Sequence, residues 1–117
     1  MNNIRASIVR WDSDDNPGFV ECRFTDRFGK EWVFVEKLPI VSSDSVLDGT
    51  SSYPQPAWIA CEIVSHGRDE LNRDIVEVDT ERPDGIWSVD DVSRFHLFRV
   101  QLADIPFGWE VRTKGRC

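Results

Sequence analysis

Gly18–Lys37 reads GFVECRFTDRFGKEWVFVEK. Val20, Cys22 and Phe24 alternate with Glu21, Arg23 and Thr25, the two-residue period of a half-buried strand. Asp26-Arg27-Phe28-Gly29 is a short polar turn ending in glycine. The returning run, Trp32-Val33-Phe34-Val35, is apolar on both faces and needs cover on both sides, from sheet partners on one and a loop or a second molecule on the other. A β-hairpin is the expected folding centre.

Outward from this hairpin the chain keeps reading as strands. Ile4–Trp11 places Ile4, Ala6 and Ile8 on one face and stops at the turn cluster Asp12–Gly18. Ala57–Ser65 puts Ile59, Cys61 and Ile63 on one face. Asp74–Thr80 alternates again, Ile86–Ser88 is a short candidate strand, Arg94–Leu102 a long one, and Trp109–Arg112 a last short run. No segment sustains a 3.6-residue period. The expected fold is all-β: a small single-domain antiparallel β-barrel of about six strands covering residues 1–117, since closure hides the edges of a small sheet. After the third strand comes a long irregular connection, residues 38–56, with three prolines and many serines. Ile40, Val41, Val46 and Leu47 are too apolar for a linker, so this segment is expected to cover the sheet, with a helical turn near Ser45–Asp48.

At 117 residues the chain is long enough for one hydrophobic core. Five Trp and seven Phe against one Met predict a well-specified core, with aromatics to spare for a binding surface. The net charge of −7 is spread along the chain: residues 1–58 carry 6 basic and 9 acidic groups, residues 59–117 carry 8 and 12. That sign repels phosphate backbones and anionic membranes and attracts a basic protein. The N-terminus lacks a signal-peptide core, and three cysteines without a C-x-x-C pair suit a reducing compartment, so the expected location is cytoplasmic.

Chemistry-bearing motifs are thin. Asp12, Asp14 and Asn16 have the spacing of a calcium loop, but Pro17 and Arg23 stand where that loop needs Gly and Glu, so a solvated turn is expected. Cys22 and Cys61 fall on the inward faces of strands, where burial makes a thiol inert. Two histidines, His66 and His96, do not complete a zinc site. Ser65-His66 lacks a nucleophile elbow, and no glycine-rich phosphate loop occurs. No catalytic residue, metal or cofactor is expected. On the central hairpin Arg23, Arg27, Lys30 and Trp32 are balanced by Glu21, Glu31 and Glu36, which disfavours single-stranded nucleic acid.

Tyr53 on the proline-stiffened connection and the neighbouring Trp58 are candidate contact anchors. Asp14, Asp15, Asp69, Glu70, Asp90 and Asp91 are candidates for an acidic rim around them. The competing expectation is that Tyr53 and Trp58 close one end of the barrel.

Several segments in order, PGFVEC (17–22), DRFG (26–29), FVEKLPIV (34–41), SYP (52–54), IACEIV (59–64) and the late FHLFRVQL (95–102), resemble a group of small uncharacterised bacterial proteins with V-E-K-x-P-V and C-E-V-V segments. Loosely, the chain is also similar to the β-barrel domains of translation elongation factors, which implies a six-stranded barrel and no function. Small bacterial proteins of this type include immunity partners of secreted toxins. Three functions follow as expectations: an acidic protein-binding module, such as an immunity-type inhibitor of a basic toxin; an accessory barrel that dimerises through Trp32–Val35; and a small-ligand carrier.

Overall fold

The computed structural model describes residues 1–15, 18–42 and 47–104. Among the described residues seven strands form: β1 (Asn2–Ser13), β2 (Phe19–Thr25), β3 (Glu31–Lys37), β4 (Gln55–Arg68), β5 (Asp74–Asp79), β6 (Arg94–Phe98) and β7 (Leu102–Asp104). The first six make one antiparallel path in the order β3-β2-β1-β4-β5-β6, and β7 pairs with β1. The expected all-β antiparallel fold is the one the chain adopts, its sheet curled into a half-barrel.

The hairpin at its centre forms as its alternation dictates. Cys22 lies opposite Phe34 and Phe24 opposite Trp32, so the inward residues of β2 and β3 meet on one face. Asp26 fixes the turn. Its Oδ1 accepts the backbone N–H groups of Phe28 and Lys30 at 2.9 and 3.0 Å, and its Oδ2 accepts Trp32 Nε1–H at 2.9 Å. Burial alone would raise the Asp26 pKa; these three donors outweigh it and lower it.

β1 is long enough to serve two neighbours on one side. Its second half, Ser7–Ser13, pairs with β2, while Asn2–Ile4 pairs with β7. Its other side carries β4, with Ile4 opposite Ile59. The stretch 94–104 therefore starts against β5 and ends against β1. The single strand expected over 94–102 instead breaks into a 3-10 turn at Arg99–Gln101, because the chain passes from pairing with β5 to pairing with β1. Gln101 holds the crossing, accepting Phe98 N–H at 2.9 Å and donating to Thr25 O at 2.7 Å. Arg27 N–H also donates to His96 O at 3.0 Å, tying the β2–β3 turn to β6.

The core gathers inside this curl. Phe95, 1% exposed, meets Phe24, Phe34 and Trp32 with ring centroids 5.0–5.6 Å apart in edge-on geometry. Ile4, Ile8, Ile59, Val78 and Leu97 pack around these rings, all fully buried. The 38–56 connection, of which residues 43–46 lie outside the described residues, places Leu38, Val41 and Leu47 in the core. Its helical turn sits earlier than expected, at Leu38–Val41 (α1), where Pro39 occupies the opening of the turn and supplies a helix-compatible φ. Leu47 and Asp48 are non-helical; Ser45 and Val46 lie outside the described residues.

Ile86–Ser88 forms no strand. Thr80 captures it instead, with its O–H donating to Ile86 O at 2.6 Å and its carbonyl accepting Ile86 N–H at 3.0 Å. Ile86 is thereby driven into the core as a plug. The expected short run at Trp109–Arg112 lies outside the described residues.

Candidate functional site

The acidic sequence candidates fall at three separate places. The first lies where β1 ends, β2 begins and β4 begins. Irregularities in the β1–β2 register between Ile8 and Arg10 and between Trp11 and Ser13 re-aim the end of β1. Trp11 consequently packs against the core and lies over two glycines. A Cβ at Gly18 would come within 2.5 Å of Trp11 Cη2, and Gly18 holds φ +100°, so only glycine fits beneath the indole. Trp11 Nε1–H donates to Asp14 Oδ1 at 2.6 Å. Across Gly49, Asp48 accepts the Tyr53 O–H on its backbone oxygen at 2.7 Å. The Asp48 carboxylate accepts Thr50 Oγ1–H at 2.7 Å and Thr50 N–H at 2.8 Å, which together lower its pKa. Asp14, Asp15 and Asp48 are exposed here, around two half-buried aromatic rings.

Tyr53 therefore takes part in this end, yet it also packs against the core, so it serves as a lid as well as a surface residue. Trp58 does not join it. Its neighbours Ala57 and Ile59 point into the core, which leaves Trp58 half-buried on the outer face of β4, opposite Arg5 of β1.

Asp69 and Glu70 occupy the β4–β5 hairpin tip, eleven or more residues along from Trp58, roughly 36 Å at ~3.3 Å per residue. Asp69 is committed to its own turn. Its oxygens accept Leu71 N–H, Arg73 N–H and Arg73 Nε–H at 3.0, 2.8 and 2.6 Å, and the Arg73 contacts lead in lowering its pKa. Asp90 and Asp91 lie in a third place, a turn capped by Ser88 Oγ, which accepts Asp90 N–H and Val92 N–H. That turn is docked on β3, with Val89 N–H donating to Val33 O at 2.9 Å. The single acidic rim read from the sequence is thus three acidic patches.

Sequence reading passed over two features. One is the pairing of Trp11 with Asp14, hidden because the strand irregularity changes the face Trp11 takes. The other is a concave cleft of about 650 Å³ at the far end of the β2–β3 hairpin, between the Asp26–Lys30 turn and the β4–β5 tip. Arg27, Phe28, Arg68, Leu71 and Arg73 line it together with the acidic pair Asp69 and Glu70, Asp69 being already bonded to Arg73. Beside it His66 and His96 face a smaller hollow of about 120 Å³ together with Arg27 and Glu77.

Burial pushes both strand thiols up to about 12, Cys22 with added repulsion from Glu36 and Glu21, and Cys61 despite a small opposing pull from Arg99. Both stay protonated near neutral pH. Among the described residues no three His, Cys, Asp or Glu side chains are grouped to hold a metal ion, and no helix is long and apolar enough to cross a membrane. Comparison with family models, curated proteins and solved structures finds no match.

Proposed function

We propose that this chain is a non-catalytic protein-binding module that engages a basic partner through its acidic end, in the manner of a cytoplasmic immunity-type inhibitor of a basic bacterial toxin. The observation that carries this is the joining of Asp14 to Trp11 and of Tyr53 to Asp48 on one surface, where bonded rings present exposed carboxylates. Rings held by hydrogen bonds lose little entropy on contact, and the carboxylates beside them steer a basic surface. The protonated, core-bound thiols favour binding over nucleophilic catalysis. The β3 edge gives self-association less support, since the Val33 carbonyl there is already taken by Val89.

The test is affinity capture of the tagged protein from lysate of its source organism at low and moderate salt, with wild type and Asp14→Asn/Asp15→Asn run side by side. A single basic protein held stoichiometrically by wild type, released by salt and weakened by the double variant, is the expected result. Recovery of the bait's own copies alone would replace this reading with self-association.

A further inference from the structure

The cleft between the β2–β3 turn and the β4–β5 tip carries two guanidinium groups held from behind. Arg73 is fixed twice, its Nε–H on Asp69 Oδ2 at 2.6 Å and its flat face over the Phe98 ring at 4.6 Å. Among the described residues its terminal nitrogens make no hydrogen bond. Arg27 lies over the Phe28 ring at 4.2 Å, and among the described residues its side chain makes no ion pair or hydrogen bond. Its Nε is buried without an acceptor, an unusual cost for a charged group. Arg68, by contrast, is taken up by its own hairpin through Asn72 and Asp74. Ordered guanidiniums with unused donors match a carboxylate or phosphate.

The surroundings decide between ligands. Phe28 and Leu71, 65% and 72% exposed, stand on the cleft, and Val100, 80% exposed, stands beyond Phe98. A free anion would leave these side chains in water. A nucleic acid would bring a negative charge on every phosphate into the field of a chain carrying −7, where a peptide need bring only the one that the guanidiniums neutralise. A polypeptide with an acidic side chain between apolar ones would satisfy the guanidiniums and cover the rim together.

We propose that this cleft docks a segment of a partner protein carrying an Asp or Glu side chain flanked by apolar residues, bound by Arg27 and Arg73 and covered by Phe28. This surface lies at the opposite end of the β2–β3 hairpin from Trp11 and Tyr53, so it goes beyond the acidic-end reading and does not depend on it.

The test is an array of short synthetic peptides, acidic, basic and neutral, each with and without apolar neighbours, probed with the labelled protein. Anisotropy titrations of the strongest binder follow, against Arg27→Gln, Arg73→Gln, Phe28→Ala and Asp14→Asn/Asp15→Asn. The expected result is selection of acidic-apolar peptides, with affinity falling about tenfold in each arginine variant and unchanged in the Asp14/Asp15 variant. Arg73→Gln also removes the Asp69 tie, so Arg27→Gln, whose side chain makes no hydrogen bond or ion pair among the described residues, is the decisive variant, with thermal melting as the folding check. An array with no binding, no preference for acidic sequences, or full affinity in Arg27→Gln would overturn the proposal. So would tighter, Arg27-dependent binding of a labelled oligouridylate, which would reassign the cleft to nucleic acid.

Discussion

Glu21 Oε1 and Arg10 Nε lie 2.8 Å apart on neighbouring strands, and the other Glu21 oxygen meets Arg23 Nη2 at 2.7 Å. Arg10 reaches on to Asp12 and Arg23 to Glu31, so five charges alternate across the outer face of β1, β2 and β3. Burial alone would raise the Glu21 pKa, but the hydrogen bonds from Arg23 and Arg10 outweigh it and lower it. A carboxyl with a lowered folded-state pKa adds stability that is fully present above its unfolded value, near 4.5, and lost as pH falls through the folded value. Glu21→Gln is expected to cost about 1 kcal/mol at neutral pH, the arginine ends being half in water. Urea denaturation across pH checks this, and the difference between variant and wild type should shrink as pH drops below that window.

Glu36 shows the opposite sign. It stands on the same face of β3 as Trp32 and Phe34, half-buried, where desolvation raises its pKa; Lys37 opposes the shift and Asp84 adds to it. Here the ionised form is disfavoured in the fold, so the penalty is absent at low pH, begins as pH rises past about 4.5 and is complete above the folded value. Glu36→Gln should raise the melting temperature at pH 7 and leave it unchanged in acid. An unchanged or lower melting point at pH 7 would show that Glu36 holds a partner worth more than its desolvation.

Gly18 and Trp11 make a steric pair. Gly18→Ala places a methyl against the indole and asks alanine to hold φ +100°, and the two costs together are expected to reach about 2–3 kcal/mol. Combining it with Trp11→Ala removes the clash and leaves the backbone strain, so the double variant should lose less than the sum of the singles. Additive losses in a double-mutant cycle would mean that the indole moves aside freely.

Strand content was legible because alternation survives wherever one face is buried, as in Val20-Cys22-Phe24 and Val76-Val78. What escaped reading was set by contacts distant in sequence. Ile86 looks like a strand residue until Thr80 folds it inward, and Phe98 looks continuous with Leu102 until the chain must cross from β5 to β1. The site was less legible for the same reason. Asp14 and Tyr53 come together only because β1 and β4 pair and Trp11 lies between them, whereas Asp69 and Asp90 stand on other turns. Arg27 gave no local sign of its role, since its free donors become visible only beside Arg73, which β6 and the β4–β5 hairpin bring near.

Tyr53 and Trp58, paired as anchors by their nearness in sequence, should now separate in experiment. Tyr53→Phe removes the O–H donated to Asp48 and is expected to cost about 1 kcal/mol. Tyr53→Ala also strips a ring from the core edge and should cost more, roughly 2–3 kcal/mol. Trp58 stands on the outer face opposite Arg5, so Trp58→Ala should hold stability to within about 1 kcal/mol. Chemical denaturation separates these losses, and binding of a captured partner then assigns the surface. Binding weakened by Trp58→Ala at full stability would extend the interface from the acidic end onto the outer face of β4. Binding weakened only by Tyr53→Phe and Asp14→Asn would confine it to the end where β1 stops and β4 begins.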